Sequence, residues 1–115
     1  MAKVPLGDRE LKIGILGMTE GNGHPYSWSA MFNGYDPEEM AKCPFPVIPA
    51  YLSNQPEETF GMPGAHITHI CCTGYAEREE AENIARAAKI PNVLDNPLEM
   101  IGEVDAVICA TDVGD

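Results

Sequence analysis

The chain has no apolar run long enough to cross a bilayer, and its N-terminus, MAKVPLGDRE, carries charge where a secretory leader needs an apolar centre. These absences support a cytoplasmic protein without membrane attachment. Basic residues are scarce: seven lysines and arginines stand against eighteen aspartates and glutamates, for a net charge of -11. Such a surface repels a phosphate backbone or an anionic leaflet, which argues against nucleic acid as a partner. The four cysteines, at 43, 71, 72 and 109, include no C-x-x-C pair. Neither a zinc site nor a thioredoxin-like centre is therefore expected, and the thiols are expected to be reduced and buried. Cys71 and Cys72 are neighbours in an apolar stretch read as a strand, so they point to opposite faces and cannot share one ion.

Internal repeats and low-complexity tracts are also lacking, and 115 residues fit one domain with one core. What is present is an alternation of strand-like and helix-like segments. LKIGILG, residues 11–17, is a short apolar run suited to a central parallel strand. Pro25 can open a helix without losing a hydrogen bond and Gly34 can close it, giving a helix over 25–33. HITHICC at 66–72 is a second strand. The segment 76–89 is a helix with a stripe of small residues at Ala81, Ile84, Ala85 and Ala88. A brief strand at 92–95, a short helix at 97–101 and the apolar strand VDAVICA at 104–110 follow. Between Tyr35 and Gly64, prolines at 37, 44, 46, 49, 56 and 63 predict an irregular insertion with a helical turn at 37–41 and nothing more regular. The fold class that follows is α/β, a Rossmann-type parallel sheet in the order 3-2-1-4 flanked by helices.

In such sheets ligands meet the carboxyl ends of the strands. The first strand-to-helix connection runs Gly17-Met18-Thr19-Glu20-Gly21-Asn22-Gly23-His24. Its glycines allow backbone N–H groups to approach a pyrophosphate beside the positive end of the next helix. The candidate cofactor contacts there are Gly17, Met18, Thr19, Asn22, Gly23 and His24. The register departs from G-x-G-x-x-G, because counting from Gly17 puts Thr19 and Asn22 at glycine positions, and counting from Gly21 puts Tyr26 at the third. A structural turn is the competing reading of the loop, and capping or packing is the competing reading of His24. Trp28, Met31 and Phe32 read as core or interface residues. Thr73 stands where a dinucleotide fold often places an acid on the adenosine ribose, with Arg78 close behind it. That pair favours NADP slightly over NAD, against a plain threonine and a solvated arginine. Thr111 and Asp112, after the last strand, can flank the nicotinamide ribose or simply end the strand. Glu77, Glu79, Glu80 and Glu82 read as a solvated helix face.

KIGILGMT, followed by AEREEAENIARAAKIPNVLDNPLEMIGEVDAVICAT, resembles the nucleotide-binding domain of the glucose-fructose oxidoreductase and inositol dehydrogenase family, in layout over about two thirds of the chain. The Glu77-Arg78 helix start, the Ile90-Pro91 turn and the run Val104 to Thr111 carry the resemblance, while the glycine loop diverges. GMTEGNGHPYSWSAMFNGYD is similar to a subgroup rather than to the sugar dehydrogenases themselves. The resemblance implies NAD(P)-dependent hydride transfer on a sugar, cyclitol or related hydroxylated metabolite. It also implies a Glu-Lys-Pro motif and a second α/β domain, neither of which occurs before Asp115, so no catalytic residue is assigned and the substrate is expected only with that further domain. A non-catalytic nucleotide-binding or regulatory module is the alternative.

A helix-to-strand connection emerges at the sheet's amino edge, so the insertion at 35–64 is expected to serve packing or subunit contact away from the cofactor. Strand four is expected at an uncovered edge of an incomplete sheet, where further polypeptide or a homo-oligomer would hide it.

Overall fold

A computed structural model describes residues 10–17, 23–72 and 78–110. Four strands, β1 (Leu11–Gly17), β2 (Ala65–Cys72), β3 (Asn92–Leu94) and β4 (Ala106–Cys109), form one all-parallel sheet in the order β3-β2-β1-β4. The α/β class and strand order expected from the alternating segments are those found. Helices α1 (His24–Asn33), α2 (Pro37–Met40), α3 (Val47–Ser53) and α4 (Arg78–Ala88) accompany it. The N-terminal half of β1 alternates side chains between faces, sending Ile13 and Ile15 into one core with Tyr26 and Ala30 of α1 and Ala81, Ile84, Ala85 and Ala88 of α4. The small-residue stripe of α4 thus faces the sheet. Gly14 points the other way, and a Cβ there would lie 2.5 Å from the Met100 sulfur. The 3-10 turn Pro97–Met100 therefore covers the opposite face. Its start is fixed by Asn96 accepting from the Leu98 N–H at 2.9 Å while Glu99 accepts from the Asn96 N–H at 3.1 Å.

β2 solves a phasing problem. Ile67 and Ile70, three apart, cannot share a face of a regular strand. The ladder pairs Ile13 with Ile67 but Gly14 with His69, so Thr68 is the extra residue of a bulge. Beyond it Ile70 joins Ile67 in the core, and His69 is turned to the other face.

The insertion departs from expectation. α2 matches the predicted turn, with Asp36 accepting from the Glu38 N–H at 2.9 Å, but 35–64 is not otherwise irregular. It also forms α3 and a 3-10 turn at Glu57–Thr59. Pro46 precedes α3 and Pro49 is its third residue, where the backbone nitrogen has no partner within the helix; the Ala50 N–H makes the bond to Pro46 O, at 3.3 Å. Met40, Cys43 and Leu52 are buried in the main core, making the insertion an integral part of the domain.

Candidate functional site

The parallel arrangement brings Gly17, Cys72, Leu94 and Cys109 to one edge, since each ends its strand. β1 leads through α1 to β2 on one side, whereas the chain leaving β3 returns across the sheet to β4 on the other. The point of divergence, between β1 and β4, is the switch point at which open α/β sheets hold ligands. α1 starts at this edge: Gly23 precedes it, Pro25 lies in its first turn, and its first internal bonds run from the Tyr26 and Ser27 N–H groups to Gly23 O at 3.0 and 3.4 Å. Its positive end faces the edge.

Both described glycines of the first connection are required by packing. A Cβ on Gly17 would meet the Pro25 ring at 2.7 Å, so glycine lets the helix start close onto the strand end. A Cβ on Gly23 would lie 2.4 Å from Ile48 Cδ1 and 2.8 Å from Phe45 Cδ2. The second contact corrects the expected position of the insertion. Although the chain leaves α1 at the amino edge, it climbs back so that Phe45 and Ile48 close on Gly23, beside the candidate nucleotide loop. Apolar attraction between aromatic and glycine backbone, together with burial of Leu52 below, outweighs the local direction of the chain.

His24 is exposed and its imidazole stacks on Trp28, with centroids 4.4 Å apart and planes 21° from parallel. Of the two structural alternatives, packing describes it, because the capping position belongs to Gly23. Trp28 and Phe32 pack on the core as expected, while Met31 is exposed. Arg78 opens α4 at the same edge. Its Nη1 donates to Asp95, just beyond β3, at 2.7 Å and its Nε donates to Glu82 at 2.9 Å. These two carboxylates, Asp95 first, raise the guanidinium pKa, so any ribose phosphate must compete with them. Met18, Thr19, Asn22, Thr73, Thr111 and Asp112 lie outside the described residues, as does Glu77.

One pair at this edge escaped the sequence reading. The Tyr26 hydroxyl donates to Glu80, joining the first turns of α1 and α4 across the strand ends. Glu80 thus differs from the solvated acids around it. Burial, reinforced by that bond, pushes the Tyr26 phenol far above its ordinary range. The neighbouring Cys72 thiol is pushed up to about 12 by burial, with Cys71 and Glu80 adding to it. The only signal was positional, a tyrosine and a glutamate each in the first turn after a parallel strand. Cys109 also departs from expectation: it is exposed, on a strand whose one ladder partner among the described residues is β1. No group of His, Cys, Asp and Glu among the described residues is arranged to hold a metal ion, and no helix among them is long and apolar enough to cross a membrane.

These features define a class of architecture, an open, all-parallel Rossmann-like α/β sheet with its switch point between β1 and β4. Comparison with family models, with curated proteins and with solved structures found no match to the chain.

Proposed function

We propose that the chain is the nucleotide-binding portion of an NAD(P)-dependent oxidoreductase acting on a sugar, cyclitol or related hydroxylated metabolite. The observation that carries the reading is the switch point, where the positive end of α1 meets the carboxyl end of β1 through a six-residue connection, 18–23. The close approach of Gly17 to Pro25 fits it, since it brings that helix end down to the strand end. In this reading Gly17, Met18, Thr19, Asn22, Gly23 and His24 surround the pyrophosphate. Thr73 and Arg78 meet the adenosine ribose, and Thr111 and Asp112 the nicotinamide ribose. The cofactor supplies hydride chemistry when bound; this chain's residues bind and orient it, and the substrate and its acid-base group belong to a further domain. The substrate class rests on the resemblance of KIGILGMT and of the stretch from Ala76 to Thr111.

NADP is slightly preferred over NAD in this reading, because Arg78 is the one described cation at the edge. Asp95 restrains that preference by occupying the guanidinium. Titration of NADPH and NADH by nicotinamide fluorescence tests both parts. Saturable binding of one dinucleotide per chain is expected, and Asp95→Asn is expected to tighten NADPH about fivefold while leaving NADH unchanged, as a charge-assisted contact is released to the phosphate. Absence of saturable binding by either dinucleotide would overturn the function, and an equal response of both to Asp95→Asn would remove Arg78 from the 2'-phosphate.

A further inference from the structure

Acid outnumbers base heavily in this chain, and three of the five described lysines and arginines are claimed by carboxylates. Lys42 and Arg86 both lie against Glu39, at 3.2 and 3.6 Å, and Arg78 against Glu82 and Asp95. Lys12 and Lys89 are the exceptions, making no ion pair among the described residues. They come from opposite ends of the fold's sequence yet line the same groove, about 450 Å³, at the amino end of β1 and β2. His66, Thr68 and Glu10 also line it, the Glu10 carboxylate being engaged with the His66 Nδ1. A second cavity, about 580 Å³, shares Lys89 and Asn33 with the first, and its walls include the edge-to-face pair Tyr35 and Phe60 with Gln55 and Glu57. Both volumes are in the range of small-molecule sites.

The Ile90 N–H bonds back to Ala85 O at 2.9 Å, closing α4 in a Schellman turn whose left-handed residue is Lys89, at φ 59°. Lys89 is the one non-glycine residue with positive φ among those described. That backbone favours glycine, so a glycine at this position removes the charge of Lys89 while keeping the turn.

We propose that this groove is an anion site, separate from the nucleotide edge, which takes the phosphate group of a small phosphorylated metabolite between Lys12 and Lys89 and its organic body against Tyr35 and Phe60. The chain's net charge of -11 repels anions at long range, so recognition is local and requires both ammonium groups. Because the site lies at the opposite edge of the sheet from Gly17, it stands or falls independently of dinucleotide binding.

The test is a calorimetric titration of the full chain at low ionic strength with inorganic phosphate and with phenyl phosphate, alongside amide shift mapping by NMR. Saturable binding is expected, tighter for phenyl phosphate, with shifts at Lys12, Thr68 and Lys89, and NADPH is not expected to displace it. Lys89→Gly is the informative variant, since it removes the charge while relieving the backbone: about tenfold weaker binding with an undiminished melting temperature is expected. Lys12→Gln is expected to weaken binding to a similar degree. Absence of saturable binding, binding that survives both substitutions, or shifts confined to Gly23, His24 and Arg78 would overturn the site; phenyl phosphate binding no tighter than inorganic phosphate would overturn the placement of the organic body.

Discussion

Cys72 and Cys109 end neighbouring rungs of the same sheet edge, one paired in register with Gly17 and the other with Leu16, yet their thiols live in different solvents. Cys72 is packed against Tyr26, α4 and the core, where burial favours the neutral thiol and lifts its pKa to about 12; Cys109 is exposed. Thiolate is the reactive form. At about pH 8, a disulfide reagent should therefore modify Cys109 in the folded protein and reach Cys72 only on unfolding, as mass spectrometry of timed samples will show. Rapid labelling of Cys72 in the native state would contradict its placement. The same shifts set the alkaline limit of stability. Cys72 and Tyr26 both have folded-state pKa values raised above their unfolded ones, so their contribution is complete below the unfolded thiol range, about pH 8.5, and is lost as pH rises toward about 12. The urea midpoint should fall steadily across that interval. A midpoint that stays level there would mean that these groups ionise freely in the folded chain.

Asn33 shows how one side chain can stand in for a strand. β3 pairs with β2 only from His69 onward, which leaves the outer edge of Ile67 without a ladder partner. The Asn33 amide fills it: Oδ1 accepts from the Ile67 N–H at 2.8 Å, and Nδ2 donates to Ile67 O at 2.9 Å and to Ala88 O at 3.0 Å. One residue thus ties the end of α1 to the bulged strand and to the end of α4. Asn33→Ala should destabilise the fold by about 2–4 kcal/mol, measured by urea denaturation, because it leaves half-buried backbone groups of two elements without partners. A loss within about 0.5 kcal/mol would mean that water replaces the amide without penalty. Local chemistry of this kind divides what the sequence discloses from what it conceals. The strands, α1 and α4 follow from apolar periodicity and from Pro25 and Gly34, all features within a few residues of one another. The bulge was also written in the spacing of Ile67 and Ile70, once it is recognised that both are core. Hidden from such a reading were α3, where prolines mark a first turn instead of a break, and the destination of Phe45 and Ile48, whose partner Gly23 lies more than twenty positions earlier. Tyr26 and Glu80 were hidden for the same reason, since their partnership exists only once two crossovers are folded.

At the scale of the whole molecule, the described residues cover the two faces of the sheet unequally. α1 and α4 close one face of the sheet with the insertion packed against them, whereas the described residues on the other face offer Met100 and its short turn. Leu98 is 67% exposed, Ile101 77% and Val107 48%, and Val107 belongs to β4, whose one ladder partner among the described residues is β1. An apolar face beside an edge strand drives association with whatever can cover it. The net charge of -11 opposes association of like chains, and the balance between the two depends on salt. At low ionic strength the repulsion reaches across tens of ångströms, but at about 1 M salt it is screened within about 3 Å, while burial of apolar surface is not weakened. Sedimentation velocity should therefore show self-association that grows with salt. Val107→Glu, which adds charge of the prevailing sign at the edge strand without entering the buried core, should reduce it at every salt concentration while leaving the melting temperature nearly unchanged. A chain that remains monomeric in high salt and unfolds in one cooperative transition independent of its concentration would show that the uncovered face is tolerated as it stands, and would remove the physical ground for expecting a partner there.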